Sequence, residues 1–351
     1  MKCGIVTVYN SENCGSFLQA YAMCRTLEGL GYQAVLVRNN LSGHSSTLKV
    51  FLNKEIKTLL RGNFKGAVRL LKQRGLFRSA CRLFDIVDAS NTCDCYFLGS
   101  DVIWDLTVPF FNRHRNFFWG TKFESSRVCS YAASLGFADQ KDIEKDSFAS
   151  EALSKMSYVS VRDNKTLNLL RAVCDKEIRL VCDPTYLVER AEFDKIAKTV
   201  ELDKFIFIYN YGRMSDSDKE QIQALAKKEG LKTVTFGNGN PWCDVCYAYD
   251  PLLFLSLYDK AEYIVTNTFH GTVFSTIYEK RFVVINNDKP KILDVLRMCG
   301  MSDKMTQSSE DIGEILHSEF NYEVTRQNIL KERENGLSYL KEALGGCENI
   351  G

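Results

Sequence analysis

Short β-branched runs alternate with helix-length segments along almost the whole chain, and this rhythm constrains the fold more than any other feature. Strands joined through helices run parallel, because a crossover of that length returns the chain to the same end of the sheet. The clearest unit is residues 261–275, AEYIVTNTFHGTVFS. Its apolar run Tyr263, Ile264 and Val265 ends at Thr266, Asn267 and Thr268. Phe269, His270 and Gly271 then open an apolar segment that suits a helix. In open α/β sheets ligands bind beyond the strand C-termini, where unpaired N–H groups and the helix dipole favour an anion. A histidine placed there points to proton transfer on a phosphorylated or carboxylated substrate.

The rhythm occurs in two series. The first has strands expected over 3–9, 33–37, 96–98, 127–132, 158–161 and 178–181, with helices over 16–30, 147–156 and 164–173. A basic, helical insertion is expected over about 47–90. A charged linker helix over 189–203 leads to the second series, with strands over 205–211, 232–236 and 282–286 around the 261–275 unit. A long charged helix over 322–344 closes the chain, its apolar stripe formed by Ile329, Leu337, Leu340 and Leu344. The expected division is an N-terminal domain over 1–188, a C-terminal domain over 189–320 and a terminal helix over 321–351. Two parallel-sheet domains in tandem bind ligand in the cleft between them, lined by polar strand ends.

Composition narrows the functions. Lys and Arg number 45 against 44 Asp and Glu, a balance of +1 that gives no reason to expect nucleic-acid binding. One region departs from it. Residues 54–82 are rich in Lys and Arg and hold one acid, Glu55, so contact with anionic lipid headgroups stands there beside an ordinary solvated helix face. No apolar run approaches the roughly 18–20 residues of a membrane-crossing helix. The opening MKCGIVTVYN reads as a strand and not as a signal peptide, so a cytoplasmic protein is expected. Of the 13 cysteines, Cys3, Cys24, Cys129 and Cys182 sit in apolar runs as small hydrophobes do. Cys243-x-x-Cys246 has zinc or redox spacing but no second pair and no nearby histidine; reduced thiols and no metal are expected.

Four segments carry chemistry. The loop of Asn10, Ser11, Glu12, Asn13, Cys14 and Gly15 offers a glycine and a helix start to a ligand, or is a plain N-cap. Gly99, Ser100 and Asp101 offer an acceptor for a substrate hydroxyl, or a helix cap; Trp104 behind them suits a sugar face or a core. Arg162 follows an apolar strand, where its guanidinium matches a phosphate or carboxylate, or pairs with Asp163 or Asp183. His270 is catalytic or structural. At a helix N-terminus its pKa is depressed, and a bound anion reverses that shift, as a general acid requires.

Six segments stand in one order: GIVTVYNSENCGSFLQAYAMCRTLEGLGY, FLGSDVIW, SYAASLG, SVRD, CDPTYLV and IVTNTFHGTVFSTIYEKRFVVI. Together they resemble the polysaccharide pyruvyl transferase family over nearly the whole chain. The resemblance implies an α/β fold of two Rossmann-like domains facing a cleft, the GT-B arrangement. It implies transfer of a pyruvyl group from phosphoenolpyruvate to sugar hydroxyls of a surface polysaccharide or its lipid-linked precursor, forming a pyruvate ketal without a cofactor. On this resemblance His270 is the acid and Arg162 holds a donor anion, helped by free N–H groups near Gly271. Asp101 orients the acceptor. Asn10, Asn13, Gly15, Ser100, Asp183 and Thr268 fall at the substrate-lining strand ends. One position departs: several members carry an arginine where this chain has Thr268, so the cation comes from Arg162, Arg213 or another side chain. The alternatives are a glycosyltransferase using a nucleotide-sugar donor and a non-catalytic glycan-binding protein.

Overall fold

The computed structural model describes residues 1–11, 13–39, 64–90, 92–123, 126–212, 214–237, 239–285 and 289–348. Arg213 and the first part of the expected insertion, 47–63, lie outside them.

Two parallel sheets form the molecule. The first takes β1 (Lys2–Val6), β2 (Gln33–Arg38), β3 (Ile86–Asp88), β4 (Cys95–Leu98) and β5 (Arg127–Ser130) in the order β3-β2-β1-β4-β5. Cys3 stands opposite Ala34 on one side and Cys95 on the other. Strands β6 (Val159–Val161) and β7 (Ile178–Leu180) pair with each other and continue this sheet through the parallel bridges Cys129–Tyr158 and Ala133–Val161. The second sheet takes β8 (Phe205–Tyr209), β9 (Lys232–Phe236), β10 (Val245–Tyr247), β11 (Tyr263–Thr266), β12 (Arg281–Ile285) and β13 (Met305–Thr306) in the order β10-β9-β8-β11-β12-β13. The central strands are buried along their length, which is why they read as continuous apolar runs without alternation. Strand order reverses between β1 and β4 in one sheet and between β8 and β11 in the other. Each reversal opens a crevice at the strand C-termini.

Helix α1 (Cys14–Gly29) fills the first crevice, capped by Asn13. The expected insertion is helical only in part among the described residues. Helix α2 (Phe64–Ala80) is followed by a 3₁₀ turn and then β3, which completes the sheet edge. Helix α3 (Asn164–Arg171) follows β6, and the linker expected as one helix over 189–203 contains only the short helix Arg190–Asp194. In the second half, α4 (Pro251–Lys260), α5 (Phe269–Ile277) and α6 (Pro290–Cys299) surround β11 and β12. Helix α7 (Tyr322–Glu348) begins on the second half, where Thr325 donates to the Cys299 carbonyl at 2.9 Å. It ends on the first, where the Tyr339 hydroxyl donates to the Ser130 carbonyl at 2.7 Å.

The core runs through both halves. Tyr21 of α1 meets Phe193, and Phe193 meets Phe274 of α5, with ring centroids 6.3 and 5.2 Å apart. The starts of α1 and α5 also lie against one another, with Gly15 packed on His270. Trp104, read as suiting a sugar face or a core, belongs to the core: it is fully buried and stacks on Trp119 at 4.7 Å.

Candidate functional site

Five strand ends converge where the halves meet. The loops after β1, β4, β6 and β7 bring Gly15, Ser100, Asp101, Arg162 and Asp183, and the loop after β11 brings His270 from the other side. At the centre lies Arg162, its side chain 1% exposed. Its Nη1 donates to Asp183 Oδ2 at 3.0 Å and to Ser100 Oγ at 3.3 Å, and its Nη2 to Asp101 Oδ1 at 3.2 Å. The Nε remains without a partner. Ser100 Oγ also donates to Asp183 Oδ2 at 3.1 Å. The other oxygen of Asp183 accepts from the Thr185 N–H and hydroxyl.

Asp101 occupies the left-handed region at φ 81°, which aspartate tolerates better than most side chains. Its carboxylate accepts from Ser16 Oγ at 2.5 Å and from the Val102 N–H at 2.8 Å. Burial pushes its pKa up, but the Arg162 guanidinium, His270 and the Ser16 hydrogen bond outweigh that and hold it at about 2. Asp101 is therefore an ionised acceptor of hydrogen bonds and a weak base.

His270 is 7% exposed, and its Nε2 has no hydrogen-bond partner. That nitrogen lies 3.8 Å from Asp183 Oδ2. Burial lowers the imidazole pKa, Asp183 and Asp101 oppose this, and the charges of Arg162 and Lys291 lower it further. The ring is neutral at pH 7, and added negative charge beside it favours the imidazolium.

Several expectations need correction. Arg162, expected to hold a donor anion, is engaged by two carboxylates of its own chain, Asp101 and Asp183. Gly15, expected to admit a ligand, instead admits His270: a Cβ at Gly15 would run into the imidazole. The Gly271 N–H, expected to be free, donates to Thr268 Oγ1 at 2.9 Å. Thr268 is the N-cap of α5, so its hydroxyl serves the helix. Asn13 caps α1, and its amide donates to the Tyr211 hydroxyl of the second half at 2.5 Å. Asn10 is exposed in the loop before α1, outside the cluster.

One residue that the sequence reading passed over belongs here. Lys291, in the first turn of α6, lies 5.7 Å from the centroid of the Phe269 ring, whose other cation is Arg162 at 4.5 Å. Burial and the neighbouring Arg162 lower its pKa to about 8 against the pull of Asp101 and Asp163. It lines a cleft of about 200 Å³ between the halves, with Ser134, Asp163, Lys165 and Lys289. A signal for it was present: Pro290 at a first helical position, apolar residues at Ile292, Val295, Leu296 and Cys299, and Gly300 as the stop. Among the described residues no three His, Cys, Asp or Glu side chains are grouped as a metal would need, and Cys243 and Cys246 are free thiols.

Solved structures with this architecture share little sequence with the chain. UDP-GlcNAc 2-epimerase from Neisseria meningitidis bound to UDP-GlcNAc superposes with a TM-score of 0.53 at 13% identity, over 98% of this chain and 99% of that one. The S. aureus MnaA–UDP co-structure gives 0.51 at 10% identity, over 98% and 96%. UDP-GlcNAc 2-epimerase from Methanocaldococcus jannaschii gives 0.50 at 13% identity, over 92% and 94%. These likenesses show the fold: two Rossmann-like domains facing a cleft, the GT-B arrangement. No curated protein matches the sequence. The family model described as polysaccharide pyruvyl transferase matches residues 13–289, which include Gly15, Ser100, Asp101, Arg162, Asp183 and His270, and the chain belongs to that family.

Proposed function

We propose that the protein transfers a pyruvyl group from phosphoenolpyruvate to sugar hydroxyls of a polysaccharide or its precursor, forming a pyruvate ketal. The observation that carries this reading is the unpartnered Nε2 of His270, buried against Asp183 where the two halves meet. His270 protonates C3 of the donor, which makes C2 electrophilic. A sugar hydroxyl adds at C2, the bond from C2 to the phosphate oxygen breaks, and a second hydroxyl closes the ketal. The two hydroxyls release two protons: one restores His270 and the other leaves with phosphate. Asp101 orients an acceptor hydroxyl by hydrogen bonding.

Asp101 and Asp183 hold both terminal nitrogens of Arg162, and Asp163 is a third buried carboxylate beside it. Lys291 lines the adjoining cleft, and we assign it the contact to the donor that Arg162 is too engaged to make. The negative charge of the incoming donor then raises the His270 pKa, and the imidazole takes a proton from solvent.

The test is phosphate release from phosphoenolpyruvate in the presence of a glycan acceptor. His270→Ala is expected to reduce the rate by about 10²–10⁴-fold, the usual worth of a positioned acid. Undiminished release in that variant removes His270 from catalysis. A second reading keeps the fold and changes the donor, since two of the similar structures are described with UDP-GlcNAc or UDP. Calorimetric binding of UDP-GlcNAc with silence towards phosphoenolpyruvate would favour it. Glycan binding without phosphate release, tolerant of His270→Ala, would identify a non-catalytic protein.

A further inference from the structure

Helix α2 turns its apolar stripe outwards. At about 100° per residue, Phe64, Val68 and Leu71 share one face, and they are 69%, 64% and 57% exposed. The opposite face, with Gly66, Gln73, Phe77 and Ala80, is buried. Lys65 and Lys72 are exposed on one flank of the stripe and Arg78 on the other. No acidic residue occurs from Phe64 to Phe84. The inner face is fixed at the cleft: Phe77 packs edge-on to Phe17 of α1 at 6.3 Å, and Arg69 donates to the Gly237 carbonyl of the second half at 2.7 Å. The stripe is thus held open on a rigid support. A soluble surface helix shows the reverse pattern, and a contiguous apolar face marks an interaction site.

We propose that this face of α2 docks on an anionic lipid surface. Phe64, Val68 and Leu71 enter the boundary between headgroups and acyl chains, and Lys65, Lys72 and Arg78 meet the lipid phosphates. Charge selects this occupant over a second copy of the chain. An isologous contact would press one cationic face against another, which like-charge repulsion opposes. Docking brings the mouth of the cleft to the membrane, where a lipid-carried glycan acceptor is presented. That consequence rests on the proposed function; the docking does not.

The experiment is co-sedimentation of the full-length protein with vesicles of phosphatidylcholine alone or with one-third phosphatidylglycerol, at low and at half-molar salt. Binding is expected only to the anionic vesicles and is lost in high salt. F64S/V68S/L71S and K65Q/K72Q/R78Q are each expected to weaken it by at least about tenfold with unchanged melting midpoints. Should the serine variant melt early, the glutamine variant carries the test. No binding at low salt, or wild-type binding by both variants, overturns the proposal. Conversion of a dimer to a monomer by the serine changes, without vesicle binding, also overturns it and makes a second copy the occupant. Neither donor nor acceptor is present in this assay, so its failure is separate from failure of the pyruvyl-transfer reading.

Discussion

In the proposed reaction His270 and Lys291 answer the same donor in different ways. The imidazole is neutral before binding and takes up a proton when negative charge arrives, so donor binding is expected to consume protons near pH 7. Calorimetry in two buffers of different ionisation enthalpy checks this, and identical heats would refute it. Lys291 must already be charged. Its pKa of about 8 is set by burial and Arg162 against Asp101 and Asp163, with Lys289 also nearby. Donor affinity is therefore expected to fall as pH rises through neutrality, where binding takes up the His270 proton, and to fall more steeply above pH 8, where the free protein loses the ammonium proton that the complex retains. Lys291→Gln should raise the donor KM by roughly tenfold or more, the worth of a charged hydrogen bond, with kcat little changed, and should flatten that alkaline limb. Gly15 gives a steric test. Gly15→Ala is expected to displace His270 and cut phosphate release severely. Gly29→Ala, which meets open space at the end of the same helix, should leave the rate unchanged.

The elements explain why some of this was legible in the sequence. β11 and the start of α5 were readable because a β-branched run ends at the capping residue Thr268, and both signals are local. Thr268→Ala is expected to cost about 1 kcal/mol of stability and to lower phosphate release by loosening the turn that aims His270; chemical denaturation and the rate assay check the two parts. The edge strands β3, β10 and β13 escaped because two or three residues at a sheet edge carry too little pattern. Lys291 escaped with α6, although Pro290 and the apolar spacing behind it announced that helix. The ion pairs of Arg162 were half visible. Asp183 was an evident alternative partner, but Asp101 reaches it only because β4 and β6 lie on either side of β5. That adjacency belongs to the sheet order and not to any local segment.

At the scale of the molecule, the proposed catalytic cluster is assembled across an interface. Ser100, Asp183 and His270 are buried, so the proposed reaction requires the halves to part for a donor to reach them. The Asn164 amide and N–H hold the Asp294 carboxylate across that interface, both at 3.0 Å. Replacing the pair by cysteines is expected to let oxidation lock the cleft. Donor binding should vanish in the oxidised protein and return with reductant; binding that persists in the locked form would exclude the opening. Helix α7 has a consequence of another kind. Its residue Tyr339 packs on Tyr131 and Tyr158 of the first half, although it is translated after the whole of the second. While the ribosome is still making the second half, the underside of the first remains uncovered and greasy. Loss of this helix is therefore expected to harm the opposite end of the molecule.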